Sequence, residues 1–354
     1  MAVPLPNRHQ AQEDYPRLKD HAEELSAYDL VLEAELQAVA SSEQSATTNL
    51  IRARIVGWLL LYPVSDNPAP FVYEVVSANM RGDTTGQIYE LGRLYMDRII
   101  PLFQQHRPAA ARQSTHPSRP SFDALRNDIV ANMRPSPKDH KASKAQALLR
   151  DDFRCMVTGL VDIASYAARL VEGPRPTRTG RTQCVHIFPE SLGFLEGQDP
   201  EKKKNFIATA NTMLNRFGYT DNQPELAGTK IHRLENVLTL ATGMHEEFDQ
   251  LNLWFEAVPD KPHAYCVITH DPFIPGWSVP QQVTFTSRYD IPPPSPRYLR
   301  IHAACCRIAH LSGAAEYIDK IYRDEEDLPV LAPDGASAPV LEHFLQRLVT
   351  RVDG

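Results

Sequence analysis

The sequence has no apolar run near the ~18 residues that a membrane span requires; its best core-like stretch, Ile55–Tyr62, stops after eight. Glycine is scarce, 16 residues against 29 prolines, so stiff connections rather than flexible ones should break up the elements. Cysteine is scarcer still. The five (Cys155, Cys184, Cys266, Cys305, Cys306) are scattered and odd in number, which argues against a disulfide framework and fits a reducing compartment. Met1–Gln10 has no charged-then-apolar order of the signal-peptide kind. These absences lead to the expectation of an intracellular protein, cytoplasmic or nuclear, with no membrane partner. At 42% hydrophobic residues the chain can bury a full core, which excludes wholesale disorder. Its 354 residues suit about two domains.

A net charge of −7 looks wrong for a nucleic-acid binder until it is divided along the chain. The first fifty residues carry nine acids and three bases, and the last forty carry nine and four. The 264 residues between them hold 26 acids and 30 bases. Acidity sits at the ends and the middle is mildly basic, which is compatible with phosphate binding and equally with an ordinary solvated surface.

The first hundred residues read as helical. Tyr28–Val39, Asn49–Leu61 and Gly86–Phe103 space their apolar residues by three and four, and the proline-rich Pro63–Pro70 interrupts them. Residues 107–137 shift to Pro, Ser, Ala and Arg, the composition of a linker. A helix is expected at Lys138–Arg150, opened by Ser136-Pro137. Asp152–Gly159 (DFRCMVTG) reads as a strand entering a turn, Gly173–Gly180 as a loop, and Arg181–Phe188 (RTQCVHIF) as a short strand stopped by Pro189. An inserted helix is expected over 200–218, with the run Lys202–Lys204. A short helix follows at Gly243–Leu251, with Thr242 as its N-cap, then a hairpin of Leu253–Val258 and His263–Thr269. After the proline cluster Pro292–Pro296, taken as a stiff connection rather than a polyproline ligand, helices are expected at Leu299–Leu311, Ala314–Tyr322 and Ala338–Val352. No internal repeat is present.

Three pieces of the middle carry chemistry: Cys184-Val185-His186-Ile187-Phe188-Pro189, Asn236-Val237-Leu238-Thr239-Leu240, and His245-Glu246-Glu247-Phe248-Asp249. On a helix His245 and Asp249 share one face about 6 Å apart, a separation at which an imidazole and a carboxylate can grip one divalent cation. The same spacing also suits a plain surface ion pair. Met244, Phe248 and Leu251 form the neighbouring apolar stripe that would anchor the helix.

Residues 151–269 resemble the HNH nuclease family, in particular its subgroup abundant in fungi. The matching stretches are RDDFRCMVTG (Arg150–Gly159), VHIFP (Val185–Pro189) and ENVLTLATGMHEEFDQLNLWF (Glu235–Phe255), with the order His, Asn, His and nine residues from Asn236 to His245. HPSRPSFD (His116–Asp123) and CCRIAHLSGAAEYID (Cys305–Asp319) look similar to the same subgroup. The resemblance implies an α+β fold: a central ββα-metal module over 138–290, a helical region over 1–106 before it, and a helical cover over 291–354 after it. It implies a metal-dependent endonuclease acting on nucleic acid, DNA before RNA. His186 would be the general base, suited by an unperturbed pKa near ~6.5, Asn236 a brace, and His245 with Asp249 the metal ligands. Mg²⁺ would be the default ion, with Mn²⁺, Ni²⁺ or Zn²⁺ also suited to imidazole ligation.

One position departs from the family pattern. Familiar active members carry Asp or His, a metal ligand, just before the base; here Val185 stands there. The alternatives are therefore a catalytically degenerate scaffold working through protein contacts, or a pocket redirected to a small molecule. Arg175, Arg178 and Arg181 on the loop before the His186 strand are candidates for phosphate contact, against the reading of a solvated loop. Cys155 lacks a second cysteine at clamp spacing, since Thr158 occupies that place, and reads as a small buried hydrophobe. Cys184 and His186 share a strand face but lack the third group of a nucleophilic dyad. His116, His140, His232 and His263 lie in polar stretches and are expected to be exposed.

Overall fold

The computed structural model describes residues 2–104, 137–189, 225–226, 228–270, 279–287 and 289–327. They combine helices with small sheets, an α+β architecture, and fall into two compact units. Of the linker expected over 107–137, residues 107–136 lie outside the described residues, as do the helices expected over 200–218 and Ala338–Val352.

The first unit, drawn from 2–101 and 304–327, is helical. Its elements are α1 (Arg8–Asp14), α2 (Arg17–Asp20), α3 (Ala22–Ala40), α4 (Ala46–Leu61), α5 (Ala69–Ala78) and α6 (Thr84–Leu94). The single helix expected over Gly86–Phe103 is instead interrupted: α6 passes through a π-helical turn, Tyr95–Ile99, into α7 (Ile100–Phe103). α6 can lie close against α4 because position 92 is glycine. A Cβ there would come within 2.2 Å of the Arg52 carbonyl oxygen. α3 turns Tyr28, Val31 and Ala34 inward and also buries Glu35. That carboxylate accepts from Arg54 Nε at 2.6 Å and from the Leu5 amide at 3.2 Å, the pairing a buried charge requires.

The second unit, drawn from 102–189 and 225–303, carries the strands. It begins with α8 (His140–Arg150), capped by the Asp139 carboxylate accepting from the Ala142 amide, so capping falls to Asp139 and not to the Ser136-Pro137 pair. β1 (Val161–Asp162) runs parallel to β2 (Thr179–Gly180), with α9 (Ile163–Ala167) between them. β3 (Thr182–His186) pairs antiparallel with β4 (Val237–Ala241), and α10 (Thr242–Asp249) follows β4 directly. β5 (Leu253–Ala257), β6 (Ala264–Thr269) and β7 (Gln282–Thr284) form an antiparallel sheet in that order. α11 (Pro296–Ser312) then leads to α12 (Ala314–Asp327).

The strand expected at Asp152–Gly159 is not formed. α8 closes with a Phe153 amide donating five residues back to the Leu148 carbonyl, and Asp152 and Phe153 take the left-handed conformation (φ 53° and 57°) of a helix C-terminus. The residues beyond are turns, with one bridge between Arg154 and Val161. Phe153 drops into a core shared with Ala147, Leu149, Cys184, Leu234, Val237 and Ile291.

Arg150 ties this unit together. It is fully buried, paired through Nε and Nη2 with both carboxylate oxygens of Asp151 at 2.6 and 2.9 Å. It also donates to the carbonyls of Leu234 (2.7 Å), Val237 (2.9 Å) and Pro292 (3.3 Å). One guanidinium thus fixes the end of α8 to the entry of β4 and to the proline segment before α11.

Candidate functional site

Strand alternation decides where each candidate of the β3–β4–α10 unit faces. Gln183 and Val185 share one face of β3; Thr182, Cys184 and His186 share the other. Register places Leu240 and Leu238 beside the first pair, and Ala241, Thr239 and Val237 beside the second. Cys184 and Val237 belong to the core built with Ala147 and Leu149, so the His186 face is covered by α8. Gln183 touches His245, so the opposite face meets α10.

On α10, Met244 and Phe248 are buried, and Phe248 stacks on the His302 ring from α11 at 3.8 Å between centroids. Burial pushes the His302 imidazole down to about 3, because a charged ring has no solvation there. The helix does not use Thr242 as its N-cap. Ala241 occupies the cap position, and Thr242, the first helical residue, approaches the Arg181 carbonyl through its amide at 3.3 Å and its hydroxyl at 3.4 Å. The chain passes straight from strand to helix, leaving no separate capping residue between them.

One turn apart on the adjacent stripe, His245 Nε2 and Asp249 Oδ2 lie 3.1 Å from each other, and both side chains are largely buried. His245 Nδ1 lies 2.6 Å from Gln183 Oε1. A carboxamide oxygen only accepts, so Nδ1 carries the proton and Nε2 is the nitrogen turned to the carboxylate. An imidazole lone pair and a carboxylate oxygen at 3.1 Å repel unless a cation compensates them, either a proton on Nε2 or a metal ion. Two adjacent donors on one ion with bonds of ~2.0–2.2 Å stand about 3 Å apart, and a ligating histidine ordinarily donates its other N–H to an oxygen acceptor. The pair therefore fits a metal ion in donor type, spacing and outer support. Among the described residues no group of three His, Cys, Asp or Glu side chains is placed to hold an ion, and Val185 is buried at 1% exposure.

His186 ends β3 on the other face. Its Nε2 is 3.1 Å from Nδ1 of His232, with ring centroids 5.2 Å apart, and the His140 ring stands 5.6 Å away. His232 is 2% exposed, against the expectation of an exposed residue. The turn Gly228–His232 tucks it under the strand end, and Ser143 Oγ on α8 donates to its carbonyl at 2.9 Å. His140 is exposed as expected, while His263 is half-buried in the turn before β6. His116 lies outside the described residues.

Asn236 is fully buried. Its Oδ1 accepts from the Phe188 amide at 2.9 Å, and its Nδ2 donates to the carbonyls of Phe188 (3.0 Å) and Ile231 (2.9 Å). Its own carbonyl accepts from the Ile187 amide at 2.8 Å, extending the β3–β4 ladder. One side chain thereby holds the segment after His186 and the turn that carries His232.

Arg175, Arg178 and Arg181 are exposed on the segment that contains β2 and enters β3. Lys202–Lys204 lies outside the described residues. Cys155 is buried and free; Cys184 is also buried, its thiol 4.0 Å from Ser143 Oγ.

The structure thus brings His245 to Asp249 and sets His186 apart from them across β3. Sequence reasoning missed Gln183 and His232. The strand alternation places Gln183 opposite His186, a readable signal. Nothing local marks His232, whose partner lies 46 residues earlier.

Residues 155–256 match the HNH endonuclease family. No curated protein and no solved structure matches the chain.

Proposed function

We propose, on the premise that residues 155–256 form a domain of the HNH nuclease family, that this protein is a metal-dependent endonuclease. It would hydrolyse phosphodiester bonds of nucleic acid, DNA before RNA, in the cytoplasm or nucleus. The observation that carries this reading is the strand–strand–helix unit: α10 presents His245 Nε2 and Asp249 Oδ2 at 3.1 Å, and Gln183 occupies the far nitrogen of the imidazole. In this reading the unit is a ββα-metal module.

His245 and Asp249 would hold the ion, Mg²⁺ by default, with Mn²⁺, Ni²⁺ and Zn²⁺ also served by this donor set. When bound, it supplies positive charge to the phosphate oxygens as negative charge builds on them. The remaining work belongs to the chain. His186 takes a proton from the attacking water as the water oxygen bonds to phosphorus and the leaving oxygen departs. Asn236 keeps the His186 strand end in place through its bonds to Phe188. The exposed guanidiniums of Arg175, Arg178 and Arg181 contact phosphates and set the position of the strand without reading sequence.

A second reading has its own support. Val185 stands buried where a ligand would be expected, His186 lies across β3 from the His245–Asp249 pair on the face covered by α8, and that pair also suits a protonated ion pair. A scaffold that has lost catalysis would look this way. The deciding experiment is cleavage of supercoiled plasmid and single-stranded DNA with Mg²⁺, Mn²⁺, Ni²⁺, Zn²⁺ or EDTA, alongside His186→Ala and His245→Ala. Metal-dependent nicking lost in both variants is expected. Nicking that is absent, or equal in all three proteins, would overturn nuclease action on DNA and leave RNA as the nuclease substrate to assay before the scaffold is adopted.

A further inference from the structure

His232 has no part in the sequence pattern, yet it meets His186 ring nitrogen to ring nitrogen. The two rings meet Nε2 to Nδ1 at 3.1 Å, inclined at 65°. Two nitrogens at that distance share one hydrogen, so one ring donates and the other accepts. Both ring-bearing segments are held from behind. The Asn236 amide grips Phe188, two residues after His186, and Ile231, one residue before His232. Ser143 grips the His232 carbonyl. The arrangement is built by three elements (β3, the 228–232 turn and α8), and it fixes the angle and depth at which the rings face each other.

We propose that His232 is the positioning residue of His186: it accepts the Nε2–H of His186, locks that ring, and keeps the basic lone pair of His186 on Nδ1. The inference rests on the reading of His186 as the base. The direction of the bond follows from chemistry. A lone pair on Nε2 would point into His232 and serve no water, whereas Nε2–H toward His232 puts the lone pair on the other nitrogen. As a proton passes from water to Nδ1, His186 becomes an imidazolium with two N–H groups, and the Nε2–H···Nδ1 bond becomes charge-assisted and stronger. His232 thus stabilises the protonated base without touching substrate, with its own proton held on Nε2. His140, the third ring of the cluster, stands 5.6 Å from His186 with its Nε2 3.4 Å from the Cys184 carbonyl, and takes no part in this bond.

The test uses the full chain labelled with ¹⁵N-histidine, so that the tautomer of His186 is read by NMR independently of cleavage. His232→Phe keeps a planar ring but cannot accept; His232→Asn places a carboxamide oxygen near the position of Nδ1 and can. The wild type and His232→Asn are expected to show His186 protonated on Nε2, and His232→Phe to lose that bias. In the cleavage assay, kcat should fall ~10–100-fold for His232→Phe with KM little changed, and recover most of the way in His232→Asn. Wild-type His186 protonated on Nδ1, or a bias surviving in folded His232→Phe, would overturn the assignment without recourse to activity. A wild-type protein that shows the expected tautomer but cleaves nothing would instead remove the nuclease reading and leave the positioning bond established.

Discussion

Both faces of the β3–β4 ladder rest on apolar cores, and they differ in the polar contacts added to them. Toward α10 the ladder presents Val185, Leu238 and Leu240, and the helix anchors itself through the buried Met244 and Phe248. Toward α8 the polar contacts are dense: Arg150 to Leu234 and Val237, Ser143 to His232, Asn236 to Phe188 and Ile231. Hydrophobic contact is non-directional and tolerates small shifts, so it suits a helix that has only to deliver two donors on the neighbouring stripe. Hydrogen bonds fix distance and angle, and here they hold the segments that carry His186 and His232. The ladder thus carries the His245–Asp249 pair and the His186–His232 pair on separate faces of the same two strands.

The largest expected effect is on the α8 face. His186→Ala should lower cleavage by ~10²–10⁴-fold, the range of a lost general base. Its thermal midpoint should fall, because a buried ring and its bond to His232 are lost, while its binding of Mn²⁺ to the folded protein, followed by calorimetry, should be unchanged. Loss of metal binding in this variant would show that the faces are not separate. Next comes Arg150→Met, which strands Asp151 and three carbonyls. Unpairing a buried ion pair costs about 3–5 kcal/mol, and urea unfolding should show a loss of that size.

On the α10 face, Gln183→Leu should weaken metal binding ~10–100-fold by removing the acceptor that orients His245, while leaving the His186 tautomer as it is. A change in that tautomer would break the comparison from the other direction. The same face carries an acid sensitivity through His302. Its folded pKa of about 3 lies below the unfolded value, so the unfolded state binds the proton more readily. Stability is full above pH ~6.5 and falls as pH drops from there toward 3, by up to about 1.4 kcal/mol per pH unit. Thermal midpoints at pH 7.5 and 5.5 should differ less in His302→Phe, which keeps the stack on Phe248, than in the wild type. The smallest effect belongs to the exposed arginines. Replacing any one of Arg175, Arg178 or Arg181 by Ala should weaken DNA binding a few-fold and lower the salt slope by about one. Fluorescence anisotropy across salt concentrations would measure it, and an unchanged slope would assign the loop to solvent.

Much of this unit is legible in the sequence because its signals are local. The expected strand Arg181–Phe188 contains β3, the expected helix Gly243–Leu251 overlaps α10, and the expected hairpin coincides closely with β5 and β6. Each is a run whose own periodicity states its structure. Expectation failed at Asp152–Gly159, where apolar residues suggested a strand but the end of α8 imposes left-handed backbone at Asp152 and Phe153. It also passed over β1, β2 and β7, which at two or three residues are too short to show a period.

The order His, Asn, His, with its nine-residue step and the i, i+4 carboxylate, is a property of the sequence alone, because helix and strand geometry convert those spacings into shared faces without further help. That His232 leaves the solvent to meet His186, that Gln183 rather than Val185 is the polar neighbour of His245, and that one asparagine holds two distant segments were settled only by tertiary structure. Each depends on residues 46 to 62 positions apart meeting at about 3 Å. Such contacts arise from how α8, α10 and the 228–232 turn pack on one short ladder, and no local run of residues encodes that packing.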